Sequence, residues 1–460
     1  MRKFSIRKNK KKTAAPDPEK DDLLIKGGHQ SLSETSSIQK VNQEPKRNIF
    51  RVLGLGLITG AADDDPSAIG TYASAGAKLG PSILWVAPVL YPMMFVVVYL
   101  SSKLGQVTGR GLFHVIRRYY SKWLFYPMLI GVLIGNIIEA GADIGGMAAA
   151  IHLLVPIPQP IIVIITTLAI LTFQIWGSYV LIRNIFRWLA LVLLAYIASA
   201  LLAKPDLMTI IRGTLIPSFS FNHEFLSLLV AIIGTTISAY LTTWQSNEEV
   251  EEEIAMGRKR LWQRAGATNE EIKKSQWDIA SGMFFANLVM YFIILSTAST
   301  LFKAGKTDIE TAVQAAQALE PFAGKAAELL FSMGVVAVGF LAVPIMTTGA
   351  AYDLCQTVGW KYGLHTKPRE APKFYLTIAF FSFVAMGMNF LGINPMKALV
   401  FSGIVQGFST PPLLLLILLM TNKREVMGLR VNSRTIMILG WITVILIFSA
   451  SLFLFVSWFI

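Results

Sequence analysis

Stretches of about 20 predominantly apolar residues recur along the whole chain, and each is long enough to cross the hydrocarbon core of a bilayer as a helix. About eleven can be marked, near 52–78, 82–102, 124–151, 160–177, 184–203, 225–245, 278–302, 326–349, 373–391, 395–421 and 435–459. Hydrophobic residues make up 54% of the chain and charged residues 15%, against roughly a quarter charged in soluble domains. The expected class is an all-α polytopic membrane protein. The first segment shows no cleavage site or secretory flank, so the expected home is a prokaryotic plasma (inner) membrane.

The formal net charge of +13 is a matter of topology rather than of nucleic-acid binding. Lys and Arg concentrate in the arm up to Arg51 and in alternate loops: Lys103–Lys122, Arg183–Arg187, Arg258–Lys274, Lys361–Lys373 and Lys423–Arg434. Together these hold about 34 of the 41 basic residues. Such alternation is the positive-inside pattern, which puts the N-terminus in the cytoplasm and the C-terminus outside. Residues 1–48, with RKNKKK at 7–12, are too polar to bury a core and are expected to be a disordered basic tail. The transmembrane domain then covers 49–460. The loop 246–276 holds five glutamates within Glu248–Glu253 and is expected to be a solvated helix continuing the sixth span. Lys103–Lys122 has the pattern of a short amphipathic helix.

Asp63, Asp64 and Asp65 interrupt the first apolar segment, followed by Pro66 and flanked by Gly60 and Gly70. Carboxylates in a bilayer core are costly unless paired, hydrated or bound to a cation. Non-helical backbone survives at that depth only when it lines a cavity or is buried in protein. Acid and helix break together mark a cation site. Three consecutive acids project about 100° apart on a helix, so they cannot all face one ion. Asp65, next to the break, is the expected ligand, because a freed carbonyl beside a carboxylate offers two hard oxygen donors. Asp63 and Asp64 are expected to face a water-filled vestibule or to pair with other groups, with Asp64 the nearer candidate for the site.

Glu139 and Asp143 lie one turn apart in the third segment, on the stripe that includes Asn136. Like charges at that spacing suit a proton or cation path, or else hydrogen bonds to neighbouring helices. Histidines are few. His114, His223 and His365 fall in or near loops and His152 sits at a span end, so an intramembrane histidine relay is hard to build. The single cysteine, Cys355, excludes an intrachain disulfide and a thiolate metal cage. Met93, Met94, Met386 and Met388 suit packing rather than soft-metal binding.

The sixth segment carries a second interruption, Gly234-Thr-Thr-Ile-Ser-Ala-Tyr240, five spans after the first. It has no proline, and hydroxyls of this kind often bond back to the preceding turn, so the residues alone leave a break there open. Interrupted helices at matching positions of two inverted halves point to a transporter's midplane site. The halves would be about 49–203 and 225–421, with 435–459 as an extra helix.

The runs DDDPSAIGTYASAGA, NIIEAGADIGGMAAA, IIGTTISAYLTTWQSNEEVEEE, FLAVPIMTTGAAYDLCQTVGWKYGL and GINPMKALVFSGIVQGFSTPPLL, in this order, resemble the NRAMP family of divalent-metal transporters, and its divergent NRAMP-related bacterial branch in particular. The resemblance implies about eleven spans in a LeuT-like 5+5 inverted repeat, alternating access, and a metal site between broken first and sixth helices. The family's Asp-Pro-Gly-Asn is Asp65-Pro66-Ser67-Ala68 here, so the carboxylate stays and the amide is lost. The carbonyl ligand of that segment falls at Ala62. The family's Met-Pro-His is Ser238-Ala239-Tyr240, and the carbonyl ligand of the sixth segment falls at Thr235. Gln406 corresponds to an amide ligand, Asp143 to a family aspartate, and Gly146 stands where the family has a glutamate.

Loss of the thioether weakens selection for soft metals over magnesium. Loss of the histidine and of one glutamate thins the proton route. The expectation is a secondary, alternating-access importer of Mn2+/Mg2+-type ions, with Fe2+ and Cd2+ as further candidates, relaxed selectivity and weak proton coupling. The metal is cargo and no cofactor is expected. The alternatives are an organic-solute carrier of the same fold and a non-transporting metal sensor. A membrane-embedded enzyme is disfavoured, because no second carboxylate motif of matching kind appears.

Overall fold

The computed structural model describes residues 55–176 and 194–459, and within them the chain is helical with no strand. The expected tail 1–48 and residues 184–193 of the fifth segment lie outside the described residues. In chain order the principal helices are α1 Leu55–Asp63, α2 Pro66–Leu79, α3 Val86–Thr108, α4 Leu112–Tyr119, α5 Lys122–Leu154, α6 Gln159–Trp176, α7 Leu194–Leu202, α8 Leu207–Leu215, α9 His223–Thr236, α10 Ala239–Ala255, α11 Asn269–Thr297, α12 Ala327–Val358, α13 Pro372–Met388, α14 Pro395–Thr421 and α15 Arg434–Ser457.

Among the described residues, eight helical segments, the pair α9/α10 counted as one, are long and apolar enough to cross a membrane. The other expected spans are also present as helices: the first is split into α1 and α2, the ninth is the 17-residue α13, and α7 is the described part of the fifth. The protein is an all-α, multi-pass membrane protein. Large apolar side chains such as Ile165, Leu376, Ile438, Ile445 and Leu452 point away from the helix bundle, which suits contact with lipid tails.

Both helix breaks lie in the middle of the bundle. α2 packs on α11 as α10 packs on α3, and α5 packs along α12. These are the pairings required when the second five spans repeat the first five upside down. The breaks are held in register by close backbone packing. A Cβ at Gly60 would run into the Gly282 backbone of α11, and one at Gly234 into the Gly403 and Gly407 backbones of α14.

One expectation about the loops is corrected. α10 does continue the sixth span to Ala255, but Glu248, Glu249, Glu251 and Glu253 are buried rather than solvated. The reason is that the helix stays inside the bundle, against α3, α4 and α12, and neighbouring donors reach its acids. Glu249 accepts from Ser102 at 2.6 Å and Gln245 at 2.9 Å.

Gly234→Ala is expected to destabilise the protein by about 1–3 kcal/mol, the usual range for overpacking. A thermal melt in detergent identical to that of the wild type would show that α9 and α14 can move apart freely.

Candidate functional site

The first break follows from its sequence. In an unbroken helix the Ala62 carbonyl would accept from the amide four residues on, but that residue is Pro66, which has no N–H. Proline is suited instead to the first turn of a new helix, which starts there as α2. Asp65 is extended (φ −66°, ψ 173°) and caps α2, its Oδ1 accepting from the Ala68 N–H at 2.7 Å. Ala68 therefore contributes a backbone donor rather than the family's side-chain amide.

The second break forms without a proline. α9 ends at Thr236, and Ser238 is extended (φ −80°, ψ 150°) before α10 begins. The Ala239 N–H, which would serve the Thr235 carbonyl in a continuous helix, donates to Gln406 Oε1 at 3.3 Å. Gln406 in turn donates from Nε2 to Glu139 Oε2 at 2.6 Å. The Thr235 hydroxyl bonds back to the Ala231 carbonyl at 3.0 Å, as such hydroxyls commonly do.

One side chain joins the two breaks. The Tyr240 hydroxyl lies 2.9 Å from Asp65 Oδ2 and 2.9 Å from the Ala62 carbonyl oxygen, with one proton to share between them. Asp143 Oδ1 accepts from the Ser67 N–H at 2.9 Å and the Ser67 hydroxyl at 2.6 Å, which ties α5 to the start of α2. The Ser402 hydroxyl of α14 lies 3.0 Å from that of Ser67. Asp65, Ala62, Ala68, Tyr240, Gln406, Glu139 and Asp143 thus form one connected centre, in which Asp65, Glu139, Asp143 and Tyr240 are fully buried.

Ser238 stands apart from this network. Among the described residues its buried hydroxyl has no hydrogen-bond partner, and the residue lines an apolar gap with Met94, Val97 and Val98 of α3. Asp63 and Asp64 lack the expected pairing with other groups among the described residues. Both are buried, and none of their four carboxylate oxygens has a hydrogen-bond partner among the described residues. Glu139 Oε1, Asp143 Oδ2 and both amide atoms of Asn136 are likewise unpartnered. A buried carboxylate oxygen without a protein donor is stabilised by a proton or a cation. Ser67 and Ser402 were missed from sequence, since a serine in an apolar run carries no signal of its partner.

The family model described as natural resistance-associated macrophage protein-like matches residues 56–457. The chain belongs to the Nramp family. It is 27% identical over 421 residues to the divalent metal cation transporter MntH of Bacillus subtilis, covering 90% of this chain and 93% of that protein. It is 25% identical over 440 residues to the protein of the same name from Deinococcus radiodurans, covering 94% of each. Among solved structures, a manganese transporter of Eremococcus coleocola superposes with a TM-score of 0.66 at 20% identity, covering 93% of this chain and 90% of that one. Mhp1, a nucleobase-cation-symport-1 family transporter in a closed conformation, superposes at 0.57 with 14% identity, covering 87% and 91%. The Nramp fold is therefore the LeuT-like repeat with broken first and sixth helices.

Polar contacts tie segments of this Nramp chain together at both ends of the bundle. At the end with few basic loops, Lys78 pairs with Glu224 at 2.6 Å and Asp308 at 2.5 Å. At the basic end, Glu251 of α10 accepts from the Tyr352 hydroxyl at 2.5 Å and the Leu364 N–H at 3.1 Å, and pairs with His365 in the loop after α12. The hydrogen bond to Glu251 raises the His365 pKa above its ordinary value, against the smaller opposing effect of burial. The stabilisation from protonated His365 is fully present below its unfolded pKa of about 6.5 and is lost as pH rises through the raised folded value.

His365→Ala is expected to lower thermal stability more at about pH 6 than at about pH 8.5, by under about 1 kcal/mol since the ring is partly exposed. A difference from wild type that does not vary with pH would show that the imidazolium contributes nothing to this contact.

Proposed function

We propose that this Nramp protein is a secondary transporter that imports divalent metal cations by alternating access. The cargo belongs to the Mn2+/Mg2+ class, with Fe2+ and Cd2+ as further substrates. The observation that carries the reading is the convergence of Asp65 Oδ2 and the Ala62 carbonyl on one hydroxyl between two helix breaks. A carboxylate and a carbonyl freed from its helix are hard oxygen donors at the depth where a transporter holds its ion. The names of the Bacillus and Eremococcus relatives, a divalent metal cation transporter and a manganese transporter, support the same cargo.

In this reading the Tyr240 proton stands in for the cation while the site is closed, and an entering ion takes over Asp65 Oδ2 and the Ala62 carbonyl. The Thr235 carbonyl, deprived of its helical donor, supplies a ligand from the second break, and Gln406 or Ser238 completes the shell with water. Asp64, next to the ligand and without a hydrogen-bond partner among the described residues, adds negative potential. No thioether stands at position 238, so discrimination against hydrated Mg2+ is relaxed. Glu139 and Asp143 line a proton or cation path that lacks an acid at Gly146, which favours weak proton coupling. The N-terminus is cytoplasmic, in keeping with the basic loops, and the membrane is the plasma (inner) membrane.

The deciding measurement is Mn2+ and Mg2+ binding by calorimetry together with flux into proteoliposomes. Asp65→Ala should weaken Mn2+ binding more than about 100-fold, beyond the range of substitutions outside the coordination shell. Binding without flux in the wild type would make the protein a sensor, and no metal response would return the organic-solute carrier. Tyr240→Phe frees two ligand oxygens from a competing proton and should tighten Mn2+ binding about tenfold, the equivalent of ~1.4 kcal/mol. Weaker binding would instead make the hydroxyl oxygen itself a ligand.

A further inference from the structure

The two breaks share a backbone shape and differ in what holds it. Asp65 (φ −66°, ψ 173°) and Ser238 (φ −80°, ψ 150°) are both extended residues placed directly before a helix. At the first break Pro66 removes the competing amide, and the Asp65 side chain caps α2. At the second the next residue is Ala239, which keeps its N–H, and the Ser238 side chain makes no capping hydrogen bond. Ala239 is fully buried, so its amide must find an acceptor. The Thr235 carbonyl, four residues back, is the one an unbroken helix would offer.

Gln406 supplies the alternative acceptor. Its Oε1 accepts from the Ala239 N–H at 3.3 Å and lies 3.2 Å from the Ser409 hydroxyl, while its Nε2 donates to Glu139 Oε2 at 2.6 Å. A backbone N–H can only donate, so the amide oxygen must face α10 and the amide nitrogen is left to face α5. Glu139 fixes that orientation by accepting from the nitrogen. Gln406 and Glu139 are fully buried, as Ala239 is, and a buried amide left without an acceptor is costly.

We propose that Gln406 does at the second break what proline does at the first. Held by Glu139, it keeps the Ala239 N–H off the Thr235 carbonyl and so leaves that carbonyl free to meet the ion. This inference rests on the transport reading above, in which Thr235 is a ligand. Gln406 is then a positioning residue, because its oxygen is already engaged by the Ala239 amide. It acts on the cation through the end of α9 and not by coordinating it. Without Gln406 the Ala239 N–H returns to Thr235, and the carbonyl is lost to the helix.

The backbone would accept the proline it lacks. A residue before proline favours the extended region, which Ser238 already occupies. Position 239 is the first residue of α10, where proline's missing N–H breaks no helical bond and its fixed φ suits the helix. The ring would push Gln406 Oε1 aside, but no N–H then remains to be held. Ala239→Pro therefore makes the break independent of Gln406, which separates positioning from coordination.

The test measures Mn2+ binding to the full chain by calorimetry in both backgrounds. Gln406→Leu alone is expected to weaken binding about tenfold. Added to Ala239→Pro, the same substitution is expected to change affinity by less than about twofold. An equal loss in both backgrounds makes Gln406 a ligand or a packing element and overturns the inference, as does wild-type affinity in Gln406→Leu. A structure of Gln406→Leu supplies a readout that needs no metal. In it the Ala239 nitrogen should lie about 3.0 Å from the Thr235 oxygen, and a break that persists unchanged overturns the inference. Gln406→Asn, too short to reach from Glu139 to Ala239, carries the same expectations should the leucine variant fail to fold. A wild-type chain that neither binds nor moves Mn2+ overturns the transport reading, and the structure of the variant still decides whether Gln406 holds the break.

Discussion

The Tyr240 hydroxyl, shared between Asp65 and the Ala62 carbonyl, is the contact on which the rest of the structure depends. It joins two interrupted helices from opposite halves of the chain. Around it the bundle supplies secondary restraints: Ser67 to Asp143, Ala239 to Gln406, and Gln406 to Glu139. The first two pair a group on or beside a break with a side chain from the third or tenth span, and the last joins those two spans to each other. Those two long helices therefore act as the frame against which both breaks are positioned, and the glycines of α14 allow α9 to approach closely enough for this.

Much of the fold was legible in the sequence because hydrophobic length is a strong signal in a membrane. The boundaries of most spans agree closely, as with 395–421 and the helix Pro395–Thr421. The first break was legible for the same local reason that makes it, a proline directly after acids. The second was not decided by its residues. Its cause is long-range: the Ala239 amide is drawn to a glutamine 167 positions away. Only the resemblance to a family supplied it beforehand.

The side-chain centre was legible in part. Asp65, Tyr240, Gln406, Glu139 and Asp143 come together as the motifs imply, whereas Ser238 lies against an apolar wall and makes no described contact with Asp65. The apolar window of the eighth span closes near 349, while the helix runs on to Val358 with Asp353 still enclosed. Hydropathy reports where lipid contact ends, and burial inside protein can extend well past that point. The same mismatch explains the glutamates of α10, which have the composition of a solvated loop and the surroundings of a core.

The two breaks differ in what would be needed to undo them. Ala62 can never regain a helical hydrogen bond, because the imino acid four residues on has no hydrogen to give. Thr235 can, since Ala239 keeps its amide proton and only the side-chain oxygen of Gln406 diverts it. The first interruption is thus a permanent hinge written into the covalent chain, and the second is a reversible one. If the tenth span, α14, slid or turned away from α10, that proton would be released and the sixth span could close into a continuous rod. The two halves are therefore unequal: the first break is fixed by the covalent chain, and the second is held by a hydrogen bond from another span.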